Sequence, residues 1–195
     1  AKRAPGRVVC GYEAGPLGYG LMRELEALGL QCLVVAPALI PVRPGDRIKT
    51  DRRDARKLAE LLRAGLLTAV HPPTPEQEAV RDLTRARGAV KTDQIRQRHR
   101  LSKFLLRRGV RWTLGRRAWT QAHFVWLRGQ RLAHAADQAI LDDQLLGLEQ
   151  IEGRLSALDA KLEAIAQAAP YQEPVGWLRC FKGIDTLTAL AWVAE

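Results

Sequence analysis

The chain has 195 residues, 47% of them apolar, and a formal net charge of +10, which allows one or two domains with a real core. No apolar run reaches the length of a membrane span, and the first residues lack the apolar centre of a secretion signal. Cys10, Cys32 and Cys180 are odd in number and widely spaced, which excludes a disulfide framework and zinc spacing and fits a reduced, cytoplasmic protein. The charge is unevenly placed. Residues 81–131 hold 15 Lys and Arg against 2 Asp and Glu, while the rest of the chain holds 16 basic and 19 acidic residues. Basic charge of that density is the electrostatic footprint of nucleic-acid binding. The competing reading is a solvated helix, which usually carries mixed signs.

Residues 7–13 read as a strand, followed by the break Gly15-Pro16. Leu17, Leu21, Leu25 and Leu28 recur at helical spacing, with Gly29 as the stop. Cys32 to Ala36 is a short buried-strand run, so this part reads strand–helix–strand, the pattern of a parallel sheet. Pro37 to Gly45 is a proline-rich loop at a strand end, where open α/β sheets place their sites. A helix is expected over 51–64, with Ala55, Leu58, Leu61 and Leu62 on its apolar face, then a strand over Leu66 to Val70. Pro75-Glu76 opens a long basic helix that ends at Gly109.

Trp112, Trp119 and Trp126 follow at intervals of seven. On an unbroken helix they would share one face, although Gly115 weakens that reading. They are candidates either for stacking on bases or for the core of a helical layer. From Leu148 a heptad pattern appears, with Leu148, Leu155 and Leu162 in one seam position and Ile151, Leu158 and Ile165 in the other; Gln144 breaks it upstream. That seam suits either a hairpin with the basic helix or a second subunit. Residues 132–169 carry seven acids and two bases, so the two helices also attract each other, which discounts part of the nucleic-acid reading. After Pro170, a helix, the turn Lys182-Gly183-Ile184-Asp185 and a small-residue helix resemble a helix-hairpin-helix. Backbone N–H groups at such a helix start accept phosphate, but Asp185 stands where a second glycine is usual and its charge opposes an anion.

The side chains that carry chemistry are acidic. Glu13 leaves the first strand, and Asp51 and Asp54 lie three apart at the start of a helix, hence on one face. Hard cations such as Mg²⁺ take oxygen ligands, and one or two carboxylates with a substrate phosphate hold them. An acidic pair at a helix start also simply favours the helix dipole, and Lys49, Arg52 and Arg53 are positioned to neutralise it without metal or to grip phosphates. His71, His99, His123 and His134 match no metal spacing and read as surface or helix histidines. Neither serine, Ser102 or Ser156, sits on a nucleophile turn, and no glycine-rich phosphate loop is present, which argues against an ATPase.

Taken in order, several motifs resemble the DEDD-type insertion-sequence transposases, the IS-one-ten family. They are Tyr12-Glu13-Ala14-Gly15-Pro16-Leu17-Gly18-Tyr19-Gly20, Val35-Ala36-Pro37, Pro44-Gly45-Asp46-Arg47, Lys49-Thr50-Asp51-Arg52-Arg53-Asp54-Ala55 and the later Gly183-Ile184 segment. The resemblance implies an α/β fold: a truncated RuvC-like (RNase H-like) domain over 1–110, a helical coiled-coil region over 111–170, and over 171–195 the start of a carboxyl-terminal transposase domain. It implies an acidic Mg²⁺ tetrad in which Glu13, Asp51 and Asp54 match the glutamate and the last two aspartates. It also implies DNA and a structured non-coding guide RNA as partners, with homo-oligomers through the coiled coil and no membrane. The residues expected on nucleic acid are Lys49, Arg52, Arg53, Arg85, Arg87, Lys91, Arg96, Arg98, Arg100, Lys103, Arg107 and Arg108. No residue before Glu13 supplies the tetrad's first aspartate, and the family's serine nucleophile lies in the part of the transposase domain beyond the chain. The expectation is therefore a partial transposase that binds nucleic acid without complete recombination. The alternatives are a non-catalytic, nucleic-acid-binding helical module and, less well matched, a junction resolvase.

Overall fold

Alternation along the first apolar segment builds β1, Val9–Glu13, which pairs in parallel with β2, Gln31–Val35, in the register Val9 with Gln31 through Glu13 with Val35. The structure, a computed structural model, describes residues 6–41 and 50–195. It divides into two compact units, Ala1–Thr74 and Pro75–Glu195.

In the first unit α1, Gly20–Ala27, makes the crossover between the two strands, so the strand–helix–strand reading holds. The helix begins later than Pro16, because Leu17 and its neighbours form a turn pinned by the Tyr12 hydroxyl, which donates to the Gly18 carbonyl at 2.9 Å. Successive side chains in a strand point to opposite faces. Cys10 and Tyr12 therefore join Met22, Cys32 and Val34 in a core against α1, while Val9, Gly11 and Glu13 look the other way. On that second face lies α2, Asp51–Arg63. Thr50 caps it by accepting from the Arg53 backbone N–H, and Gly65 at φ +68 turns the chain out of it.

The segment Leu66 to Val70 does not make the expected strand. It forms a single antiparallel bridge between Val35 and Ala69, with Val70 N–H donating to Val34 and Ala36 N–H to Thr68. The ladder stops because the chain leaves the strand direction at once, turning into a short 3-10 helix over Pro37–Leu39.

The second unit is helical: α3, Pro75–Arg107; α4, Gln121–Gly129; α5, Ala135–Ala166; α6, Gln172–Arg179; and α7, Thr186–Ala194. α3 and α5 run antiparallel, since Arg87 meets Asp159, Gln97 meets the Gln144 carbonyl and Arg108 meets Asp137. The hairpin reading of the heptad therefore holds within one chain. Leu148, Leu155 and Leu162 are buried, whereas Ile151, Leu158 and Ile165 are half-buried. Gln144 does not end the apolar row, because Leu141 and Leu145 carry it past that point by a step of four and then three.

Two clusters hold this unit together. One gathers Leu101, Phe104 and Leu105 of α3, Phe124 and Leu127 of α4, and Leu141, Leu145 and Leu148 of α5. The other packs the end of α5 against Tyr171, Val175, Ala189 and Leu190. A fully buried leucine contributes about 1.5–3 kcal/mol relative to an exposed one, so these rows account for the stability of helices whose outer faces are highly charged. Among the described residues, no helix is long and apolar enough to cross a membrane.

Candidate active site and basic surface

The face of β1 turned away from α1 and the length of α2 from Asp51 to Leu62 line an open cavity of about 660 Å³. Glu13 reaches its wall from the carboxyl end of β1, and Asp51 and Asp54 reach it from the first turn of α2. The floor is apolar, with Val9, Leu58 and Leu62 among its residues. Gly11 faces α2 at close range: a Cβ there would stand 3.4 Å from Leu62 Cδ2, in contact with that side chain. A glycine inside a strand signals such an approach, and that sign was available in the sequence.

The three expected acidic residues thus share one cavity. They are not gathered further: among the described residues no three His, Cys, Asp or Glu side chains stand close enough together to hold a metal ion as a group. Nor does any ion pair among the described residues join Asp51 or Asp54 to Arg52 or Arg53, both of which are exposed on the first turn of α2. Lys49 and the Pro44 to Arg47 motif lie outside the described residues.

The basic helix is partly committed to its neighbours. Arg87 meets Asp159 at 2.7 Å, Arg98 meets Glu152 at 2.9 Å, and Arg108 makes a two-pronged contact with Asp137 at 2.7 Å on each arm. Arg85 holds Glu195 the same way, at 2.8 and 2.6 Å. Paired hydrogen bonds between a guanidinium and a carboxylate are among the stronger polar contacts. Here they hold the carboxyls of Asp137 and Glu195 below the usual carboxylate range, and Asp137 in turn raises Arg108. Of the other expected phosphate contacts, Lys91 donates to Gln94, Arg96 to Asp93 and Arg100 to Gln97, all within α3. Lys103 and Arg107 are exposed.

The three tryptophans do not share a helix, because α4 starts only at Gln121. They nevertheless converge. His123 stacks on Trp126 at 5.5 Å between ring centroids and meets the edges of Trp112 and Trp119 at 5.1 Å each. Its Nδ1 accepts from the Trp119 backbone N–H at 3.0 Å. The core reading of the tryptophans therefore describes them better than an exposed base-stacking platform. His123 is a helix histidine, as one of the two expected readings has it, but it is buried, and burial lowers its pKa. At the last turn, Asp185 caps α7 by accepting from Thr188 N–H at 2.7 Å. That carboxylate already occupies the helix start where a phosphate would bind.

Comparison with known proteins decides the family. A transposase family model of the DEDD type, that of IS110, matches residues 2–108. The chain belongs to the IS110 transposase family. Glu13, Asp51 and Asp54 all lie inside the matched region, which runs across the division between the two units. Among the relatives of this IS110-family chain are the transposase for insertion sequence element IS1533 of Leptospira borgpetersenii, 42% identical over 189 residues, and the putative transposase y4qE of Sinorhizobium fredii, 42% identical over 187 residues. The alignments take in 95% and 94% of this chain but 54% and 44% of those relatives. The chain therefore spans about half the length of the proteins it matches. A second S. fredii relative, the putative transposase y4rJ, is 30% identical over 167 residues.

Proposed function

We propose that this chain is the DNA-handling part of an insertion-sequence transposase, working on the phosphodiester backbone at the cavity between β1 and α2. The observation that carries the reading is the convergence of Glu13, Asp51 and Asp54 on that one cavity within the family-matched segment. Their chemistry suits Mg²⁺: all donors are oxygens, and this ion is held through one or two carboxylates with water and phosphate completing the shell. Two carboxylates one turn apart on α2, with Glu13 opposite, meet that requirement without a closed three-residue cluster. When bound, the ion would polarise a phosphoryl oxygen and lower the charge of the scissile group. The chain's own residues would do the rest. Arg52 and Arg53 would draw the strand's phosphates to the start of α2, and the apolar floor of Val9, Leu58 and Leu62 would restrict water behind the carboxylates. A structured RNA as guide and a second copy of the chain as partner belong to the same proposal, with the α5 leucine seam itself taken up by α3.

Titration with Mg²⁺ tests it. Saturable binding to the wild-type chain, lost in Asp51→Asn combined with Asp54→Asn while the circular dichroism spectrum is retained, is the expected result. Absence of Mg²⁺ binding in both proteins overturns the metal reading. The second reading, a nucleic-acid-binding module without catalysis, draws on the same geometry, since the three carboxylates share a cavity without forming a ligand cluster. It predicts DNA binding indifferent to Mg²⁺ and to both aspartates.

A further inference from the structure

The basic residues of α3 fall into two rows with different employment. Arg87, Arg98 and Arg108 lie on the side that packs on α5, and each meets a carboxylate there. Arg96, Arg100, Lys103 and Arg107 follow one another at steps of four, three and four. At 3.6 residues per turn they lie within an arc of about 60° and form a straight line about 17 Å long. All four are exposed. None of them is among the ion pairs that tie α3 to α5. The acid beside them is Asp93, weakly engaged with Arg96 at 3.4 Å, and no other Asp or Glu occurs on α3 from residue 94 to its end.

We infer that this outward row is a phosphate rail: Arg96, Arg100, Lys103 and Arg107 bind the backbone of a DNA duplex, while Arg87, Arg98 and Arg108 hold α3 to α5 and do not touch DNA. The inference rests on the nucleic-acid reading above and narrows it to one face of one helix. Four evenly spaced cations on a rigid rod address successive phosphates and ignore the bases, so the rail sets position and supplies affinity without reading sequence. Charge complementarity carries the choice of partner. A protein partner would have to present a line of four unpaired carboxylates, whereas duplex DNA presents one negative charge per about 1.7 Å of its axis.

The test is fluorescence anisotropy of the full chain on a random-sequence DNA duplex across a series of salt concentrations. Each phosphate neutralised adds about −0.9 to the slope of log affinity against log salt. Replacing all four residues by Gln should therefore make the slope shallower by about 3 to 4 and weaken binding at low salt by more than tenfold. The pair Arg100→Gln and Arg107→Gln alone should remove about half of that change. Replacing the three arginines by Lys should preserve the slope, because the rail acts through charge. A wild-type slope retained in either folded Gln variant overturns the rail and leaves DNA binding by the chain intact. Absence of salt-dependent DNA binding in the wild type overturns both. Loss confined to an RNA duplex or to single-stranded DNA, with the DNA duplex still bound, also overturns the assignment.

Discussion

In the first unit Glu13, Asp51 and Asp54 line an open cavity, and the two aspartates have no ion pair with the arginines beside them among the described residues. In the second unit Arg87, Arg98 and Arg108 each meet a carboxylate of α5. The cores differ in the same sense. Three buried side chains, Met22, Cys32 and Val34, form the centre of the first, whereas the second has two larger clusters lined by leucine and aromatic residues. Uncompensated like charges oppose folding, and pairing removes that opposition. The comparison therefore separates carboxylates that line a cavity without an ion pair to the neighbouring arginines, among the described residues, from charge used to join helices.

The largest expected effect falls on the helical core. Leu148 is fully buried between α3 and α5, so Leu148→Ala should lower the unfolding free energy by about 2–5 kcal/mol, read from urea denaturation. A loss below about 1 kcal/mol would show that the α3–α5 contact is not what stabilises the second unit.

Next comes the backbone of the first unit. Gly65 sits at φ +68 with open space where a Cβ would go, so Gly65→Ala should cost about 1–2 kcal/mol through strain alone. Gly153 lies inside α5, also with open space around it, and Gly153→Ala should instead stabilise by about 0.5–1 kcal/mol. Opposite signs from the same substitution would confirm that the difference lies in backbone geometry rather than packing. Two shifts of the same sign would break that account.

A smaller effect belongs to the α7 cap. Asp185→Ala should cost about 1 kcal/mol, and Asp185→Asn much less, because the amide oxygen still accepts from Thr188 N–H. Equal losses in thermal melts of the two variants would show that the charge, and not the cap bond, matters.

The finest test is pH. Burial lowers the pKa of His123, so the unfolded chain takes up a proton near pH 6.5 before the native protein does. The native advantage is therefore complete above about pH 6.5 and declines as pH falls below it. His123→Gln should flatten the dependence of melting temperature on pH between about 7 and 5. At lower pH, below about 4, protonation of Asp137 removes its bond with Arg108. Its pKa is depressed by that partner, so stability is lost on acidification, and Asp137→Asn should reduce the size of that acid loss.

Local pattern was legible wherever one face of an element is apolar. Val9 to Glu13, the Leu58–Leu62 face of α2 and the long basic helix follow from period-two or period-3.6 spacing, with Gly29, Gly65 and Gly109 marking the ends. For α1 the spacing gave the helix but not its buried face, since Leu17 and Leu28 fall outside it, Leu21 is exposed and Met22 is the buried residue. Leu66 to Val70 misled because its apolar composition says nothing about how far the neighbouring strand continues beside it, and that strand turns away at Pro37–Leu39. The tryptophans misled in a different way. An interval of seven suggests one helix face, yet Trp112 and Trp119 reach His123 from a nonhelical segment.

Composition and periodicity by themselves determined that the chain has an α/β start, a long basic helix and an acidic partner helix, because those properties are written in neighbouring residues. Only the tertiary structure decided which charges are free. Glu13 is separated from Asp51 by 38 positions, and Arg87 from Asp159 by 72. Whether two such groups meet depends on how helices and strands pack, and packing is chosen by buried side chains elsewhere in the chain, not by the charged residues themselves.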